Sequence, residues 1–152
     1  MDCKWEHNMD IENLGHGPQC RVVKIDEEDG RVFVRYADGS SESWENGVLH
    51  ADGAAAVEHE GDREEYWVHG QLHRTDGPAI EDYMLGPQEY WIDGKRHRED
   101  GPAVEYYDGS GEWWLDDIEY TFEEYVKQLL LAGANSLDVI ILLSNYRVNI
   151  AA

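Results

Sequence analysis

Cysteine is nearly absent: the 152 residues hold two, Cys3 and Cys20. That is too few for a disulfide framework, and a reducing cytoplasm is the compartment to expect. Phenylalanine and proline are also scarce, at two and four, against six Trp and nine Tyr. The apolar interior therefore has to be built largely from aromatics that carry a polar handle. Long apolar runs are missing. The most apolar one, at 139–143, falls far short of the roughly 20 residues that cross a bilayer. The opening residues, Met-Asp-Cys-Lys-Trp-Glu, carry no apolar signal core. Positive charge is scarce too: 12 Lys and Arg stand against 33 Asp and Glu, a net of −21. A field of that sign repels nucleic acid and anionic membranes and attracts basic proteins.

The charge is unevenly placed. Residues 121–152 hold Glu123, Glu124 and Asp138 against Lys127 and Arg147, a net of −1, which leaves −20 on the first 120 residues.

The dominant pattern is a repeat, which decides architecture before any local feature does. Trp44, Trp67, Trp91 and Trp114 are 23, 24 and 23 residues apart. Behind the first three come Gly47, Gly70 and Gly94, then His50, His73 and His97, then an Asp-Gly pair at 52, 76 and 100. The first copy reads as worn, lacking the Arg, the Pro and one residue, and the last stops where Asp117 replaces the Gly. The segment 14–22 resembles a more degraded start.

Each unit reads as a β-hairpin. Residues 78–81 and 102–107 alternate as half-buried strands do, and 89–92 and 112–115 are aromatic return strands. Gly86-Pro87 and Asp108–Gly111 mark the turns, and residues 30–39 form another alternating strand. The ladder, Trp91 included, is expected on the buried side. The stretch His73-Arg74-x-Asp76-Gly77 recurs as His97-Arg98-x-Asp100-Gly101, in the link between hairpins. There Gly suits a positive φ, Arg can pair with Asp across the corner, and Pro starts a strand without a donor. No Ser or Cys nucleophile recurs beside the His and Asp, so the motif reads as architecture rather than catalysis.

At these residues the chain resembles MORN-type repeat proteins, in the phage and bacterial variant whose unit is aromatic-Trp-x-x-Gly-x-x-His-Arg-x-Asp-Gly-Pro-Ala. Residues 66–79 and 90–103 carry it, with a weaker copy at 44–54, and the likeness spans about residues 36–120. It implies a single-layer stack of hairpins serving as an interaction scaffold. His-Arg-x-Asp-Gly-Pro stands where ordinary MORN repeats have a Gly-rich His-Gly segment; this and the negative charge both argue against a lipid-binding role.

Other constellations carry less. Cys3, His7, His16 and Cys20 form a symmetric set of zinc-ligand types. The competing reading is idle cysteines and surface histidines, and His16-Gly17-Pro18 overlays the Asp-Gly-Pro of the repeat; the assignment is no metal and no cofactor. No phosphate-binding glycine motif is present. Glu58, Glu60, Asp62, Glu64, Glu65, Glu81, Asp82 and Glu105 are the candidate acidic contact surface.

After residue 120 the period changes. Thr121-Phe-Glu-Glu124 is a capping box, Tyr125, Leu129 and Ala132 follow at helical spacing, and Gly133 is a stop. Ser136 can cap a second helix, although the apolar run at 139–143 also suits a strand. This tail is expected either to cover the open end or one face of the sheet, or to form a homodimer interface.

The fold expected is mainly β: an antiparallel meander of repeated hairpins, MORN-like and single-layered, with a helical C-terminal cap. A degenerate β segment occupies 1–35, the repeats 36–120 and the cap 121–152, all in one compact domain. The function expected is non-enzymatic: an acidic protein that binds a basic nucleic-acid-binding protein or complex, with no direct contact to nucleic acid or membrane. The repeat type points to a phage-type inhibitor of a host defence complex, of anti-CRISPR or anti-restriction kind, acting in the host cytoplasm by nucleic-acid mimicry or occlusion of a basic groove. The alternative is a general scaffold or antitoxin-like protein binding through its aromatic face.

Overall fold

The computed structural model describes residues 22–28, 30–84 and 86–146. Its strands are β1 (Val22–Glu28), β2 (Arg31–Tyr36), β3 (Ser41–Glu45), β4 (Val48–Leu49), β5 (Val57–His59), β6 (Arg63–Glu65), β7 (Trp67–Val68) and β8 (Gln71–Leu72). They continue with β9 (Ile80–Asp82), β10 (Gln88–Glu89), β11 (Trp91–Ile92), β12 (Lys95–Arg96), β13 (Val104–Glu105), β14 (Gly111–Leu115) and β15 (Ile118–Tyr120). Helices α1 (Phe122–Leu131) and α2 (Ser136–Tyr146) close the chain. The main sheet is an open meander in the order β1-β2-β3-β5-β6-β9-β10-β13-β14-β15, with β4 on β3, and β7-β8 and β11-β12 stand as separate ribbons. All pairings are antiparallel.

Each unit contains two hairpins, not the one expected. A long hairpin (β2-β3, β5-β6, β9-β10, β13-β14) advances the sheet, and a short one (β3-β4, β7-β8, β11-β12, β14-β15) follows its Trp. The short tips are Asn46-Gly47, His69-Gly70, Asp93-Gly94 and Asp116-Asp117, and both residues of every tip have positive φ, between +48° and +81°. That is the type I′ turn, whose twist matches the strands it joins. It explains the Gly three residues after each of the first three Trp. The last unit does not stop at Asp117: this residue takes φ +66° and its Oδ1 accepts the Arg96 N–H at 2.8 Å.

The first unit has lost no residue either. Ala56, Ala79 and Ala103 occupy equivalent places, each accepting the backbone N–H of the residue just before the ladder Trp (Ser43, Tyr66 and Tyr90) at 2.7 Å. Trp44, Trp67 and Trp91 each precede the matching Val57, Ile80 and Val104 by 13 residues. Asp52-Gly53 therefore corresponds to Thr75-Asp76, one place away from the expected match.

Strand alternation sorts the side chains. On one face the register aligns Val34, Glu42, Val57, Glu65, Ile80, Glu89, Val104 and Glu112 in a single row across the sheet. The aliphatic members are buried, from fully for Val34 to 7% exposed for Val57 and Ile80, and Val32 and Tyr36 extend them. Ala79 and Ala103 are fully buried on the opposite face. Trp44, Trp67, Trp91 and Trp114 are half-buried, not the deep core expected for Trp91. A single-layer sheet has no second layer to cover so large a ring.

Thr121 caps α1 with the reciprocal bonds of a capping box. Asn135, rather than Ser136, caps α2: its Oδ1 accepts the Leu137 N–H at 3.0 Å. The run at 139–143 is helical. Tyr125, Leu129 and Leu142 pack with Trp113, Leu115, Tyr120 and Phe122, and the Tyr125 hydroxyl donates to the carbonyls of Arg98 and Gly101. The helices thus cover the end of the sheet at its last unit. Among the described residues no helix is long and apolar enough to cross a membrane.

Gly94 sits at φ +74°, where a side chain costs about 1–2 kcal/mol. Gly94→Ala is expected to lower unfolding free energy by about that amount in urea melts, and Gly94→Asn by less. An unchanged Gly94→Ala midpoint would sink the I′ assignment.

Candidate functional site

The corner motif resolves into joints. His50 Nδ1 accepts the backbone N–H of His69 at 3.1 Å; His73 Nδ1 lies 3.1 Å from the backbone N and 2.8 Å from Oδ1 of Asp93, and His97 Nδ1 lies 3.3 Å from the same two atoms of Asp116. Each recurring His therefore satisfies the first tip residue of the next short hairpin. Backbone bonds flank the joint: Gly70, Gly94 and Asp117 donate to Leu49, Leu72 and Arg96, and Ala51, Arg74 and Arg98 donate to Trp67, Trp91 and Trp114.

Arg74 and Arg98 brace the corner. Each places its guanidinium carbon over an aromatic ring, Arg74 3.9 Å from the centre of Tyr66 and Arg98 3.8 Å from that of Tyr90. Their Nε atoms donate to Asp76 and Asp100 at 2.9 and 2.7 Å, and their Nη1 atoms to the Pro78 and Pro102 carbonyls at 3.2 and 3.1 Å. The Arg–Asp pairing is as expected, but the role of Gly is not. Gly77 and Gly101 do not have positive φ; a Cβ there would meet the guanidinium carbon at 3.0 and 2.7 Å. Gly is present to admit the folded Arg.

A second repeated element escaped the sequence reading: a Glu two residues before each ladder Trp. Trp44, Trp67, Trp91 and Trp114 donate Nε1–H to Glu42, Glu65, Glu89 and Glu112 at 3.0, 3.0, 3.2 and 2.9 Å. A second donor completes each pair: the Tyr36 hydroxyl on Glu42, His59 and Arg63 on Glu65, Arg96 on Glu89, and the Tyr106 hydroxyl on Glu112. Arg96 also lies between Trp91 and Trp114, 5.0 and 5.3 Å from their ring centres. The signal was in the sequence, as Glu-x-Trp at the period of the repeat.

These carboxyls titrate differently. Burial raises Glu42 above the usual range, and its hydrogen bonds do not compensate. Burial pushes Glu65 upward too, but bonds from His59 and Trp67 and the charge of Arg63 outweigh it and leave it low. The bond from Tyr106 leads in lowering Glu112.

In the first unit Glu45, His50 and His69 come close enough to hold a metal ion, and His69 stacks on His50 at 4.5 Å. The hydrogen bonding assigns these groups otherwise. His50 Nδ1 accepts an N–H, which places the ring proton on Nε2, and Nε2 faces Glu45 at 3.4 Å and Asp52 at 3.2 Å. Arg31 neutralises both carboxylates from their other oxygens, at 3.1 and 3.6 Å. No ring nitrogen of His50 is left to ligate a metal or to activate Ser43, which lines the same cleft of about 1180 Å³.

The eight expected acidic residues divide in two. Glu65 and Glu81 have 14% side-chain exposure; Glu65 belongs to the Trp pairs, and Glu81 pairs with Arg74 at 3.1 Å. Glu105 pairs with Arg98 at 3.2 Å, and Asp82 accepts the Met84 N–H. Glu58, Glu60, Asp62 and Glu64 sit together on the β5-β6 hairpin, and among the described residues none of them forms an ion pair. Cys3, His7, His16 and Cys20 lie outside the described residues. Comparisons with protein-family models, with curated proteins and with solved structures found no match.

Arg98→Ala should lower unfolding free energy by about 2–3 kcal/mol, the scale of a lost buried, charge-assisted network, and Asp100→Ala by a fraction of that. A folded, stable Arg98→Ala protein would contradict the bracing role. A second pair tests the carboxyls. The raised folded-state value of Glu42 contributes stability only at low pH, and loses it as pH rises through that value. The lowered value of Glu65 contributes stability above about pH 4.3, lost as pH falls. At pH 7, Glu42→Gln is expected to be neutral or stabilising, and Glu65→Gln to cost about 1 kcal/mol. The reverse order in thermal melts would refute the assignment.

Proposed function

We propose that this chain is a non-enzymatic acidic binding protein that occupies the nucleic-acid groove of a basic partner. The observation that carries the reading is the β5-β6 hairpin. Glu58 pairs directly with Glu64, and Glu64 with Glu81 on β9. Adjacent strands lie about 4.8 Å apart, and like charges placed directly opposite cost about 0.2–1 kcal/mol. Among the described residues Glu58 and Glu64 receive only neutral donors, the hydroxyls of Ser41 and Tyr66. Glu60 and Asp62 extend the cluster at an exposed tip.

Meanwhile Arg31, Arg63, Arg74, Arg96 and Arg98 all brace the scaffold. These five arginines are taken up within the repeat, while among the described residues the acids Glu58, Glu60, Asp62 and Glu64 form no ion pair. Evenly stepped carboxylates on a rigid sheet imitate a phosphate backbone well enough to compete for a basic groove. The likeness to phage-type MORN repeats supports an inhibitor of a host defence complex as the setting. A specific feature favours a second reading: a groove of about 670 Å³ on the aromatic face, lined in part by Trp44, Leu49, Val57 and Trp67, suits a scaffold that docks an extended segment.

Capture from host lysate on the immobilised protein, at low and high salt, separates the two. Charge-driven binding weakens steeply with salt and binding through Trp does not. The expected partners are nucleic-acid-handling proteins, released by duplex DNA and absent when Glu58, Glu60, Asp62 and Glu64 are all changed to Lys. Capture that ignores both salt and this variant moves the site to the aromatic groove. Glu64→Gln adds a control independent of the partner: it is expected to stabilise the fold by about 0.5 kcal/mol while weakening capture.

A further inference from the structure

We propose that the outer face of the helical cap is a self-association surface, and that its occupant is the same face of a second copy of this chain. Helix α2 buries Val139 and Leu142 against α1 and the sheet. Its opposite side carries Leu137, Ile140 and Ile141 at i, i+3 and i+4, which are 60%, 57% and 52% exposed. Leu130 and Leu131 prolong this surface from the end of α1, at 51% and 72%. A helix that packs on one side needs one apolar stripe; a helix apolar on two sides is written for two neighbours.

Charge identifies the second neighbour. The first 120 residues carry −20, so two copies meeting anywhere on the sheet bring acid against acid. The cap segment carries −1, and of its acids Glu124 is tied into the capping box of Thr121. Two copies meeting on this segment avoid the charge of the sheet. A basic partner gains nothing from an uncharged aliphatic face, so this surface is separate from the acidic hairpin. Pairing is isologous, each stripe against its counterpart about a two-fold axis. Five aliphatic side chains, each more than half exposed, supply the apolar centre of the contact.

Sedimentation equilibrium of the full chain over about 1–100 µM, at low and high salt, tests this. The average mass is expected to rise from 17.5 kDa toward twice that value. The association should strengthen with salt, because screening relieves repulsion while the contact itself is apolar. Leu137→Lys with Ile141→Lys is expected to leave a folded monomer at every concentration. Lys lowers the net negative charge, so long-range repulsion between copies falls, and the loss comes from the contact surface itself. A wild-type monomer throughout, or a dimer indifferent to the double variant, overturns the proposal. So does a monomer whose melting temperature the double variant lowers sharply, since a segment of the same chain then covers the face.

Discussion

The contact on which the rest of the molecule depends is the joint between the corner of one unit and the short hairpin of the next. Each joint combines two backbone bonds with one imidazole nitrogen. It fixes the step from unit to unit and therefore the register of the whole sheet. The array is quasi-one-dimensional, with each unit stabilised by its neighbours. The helical cap takes over at the last joint, where Tyr125 bonds the Arg98 and Gly101 carbonyls at the corner of the preceding unit. A sheet with one covered end needs such a terminator, because an exposed strand is a template for further pairing.

A single layer gives few places to hide apolar surface. The chain answers with a narrow strip of Val, Ile and Ala and a polar-tipped ladder beside it. Each Trp is tethered by its indole N–H to the Glu two residues before it, which holds a large ring in place without burying it. That device needs carboxylates at regular intervals and so accounts for part of the acidity. The arginines that stack on Tyr66 and Tyr90 account for another part, since each is matched by nearby acids. Among the described residues the β5-β6 hairpin carries four acids outside those pairings, Glu58, Glu60, Asp62 and Glu64, side by side. The net charge is thus a sum of scaffold carboxylates with fixed partners and surface carboxylates without them, and composition alone does not separate the two.

Much of the fold was legible because it repeats. The Trp spacing, the turn residues at 108–111 and the capping box of Thr121 each led to the element observed. The short hairpins were not legible. Their strands are only two residues long in β7-β8 and β11-β12, too short for alternation to register, and their first tip residue varies among Asn, His and Asp. The Asp-Gly of the first unit imitates the motif as a dipeptide but stands one place nearer its Trp, and Gly53 takes a positive φ, +68°, which Gly77 and Gly101 do not. The candidate surface was half legible. Acidic residues could be counted, but which of them met an Arg or an indole depended on cross-strand register. The zinc-type set at the N-terminus lies outside the described residues.

Amide hydrogen exchange on the tip residues tests the central claim most directly. The amides of Asp93 and Asp116 occupy the first position of exposed two-residue turns, where rapid exchange is the rule. If the recurring His couples the units, both amides are protected, and His73→Ala exposes Asp93 while leaving Asp116 slow. Fast exchange at both in the unmodified protein, or indifference of Asp93 to His73→Ala, would show that the repeated motif does something other than hold one unit to the next.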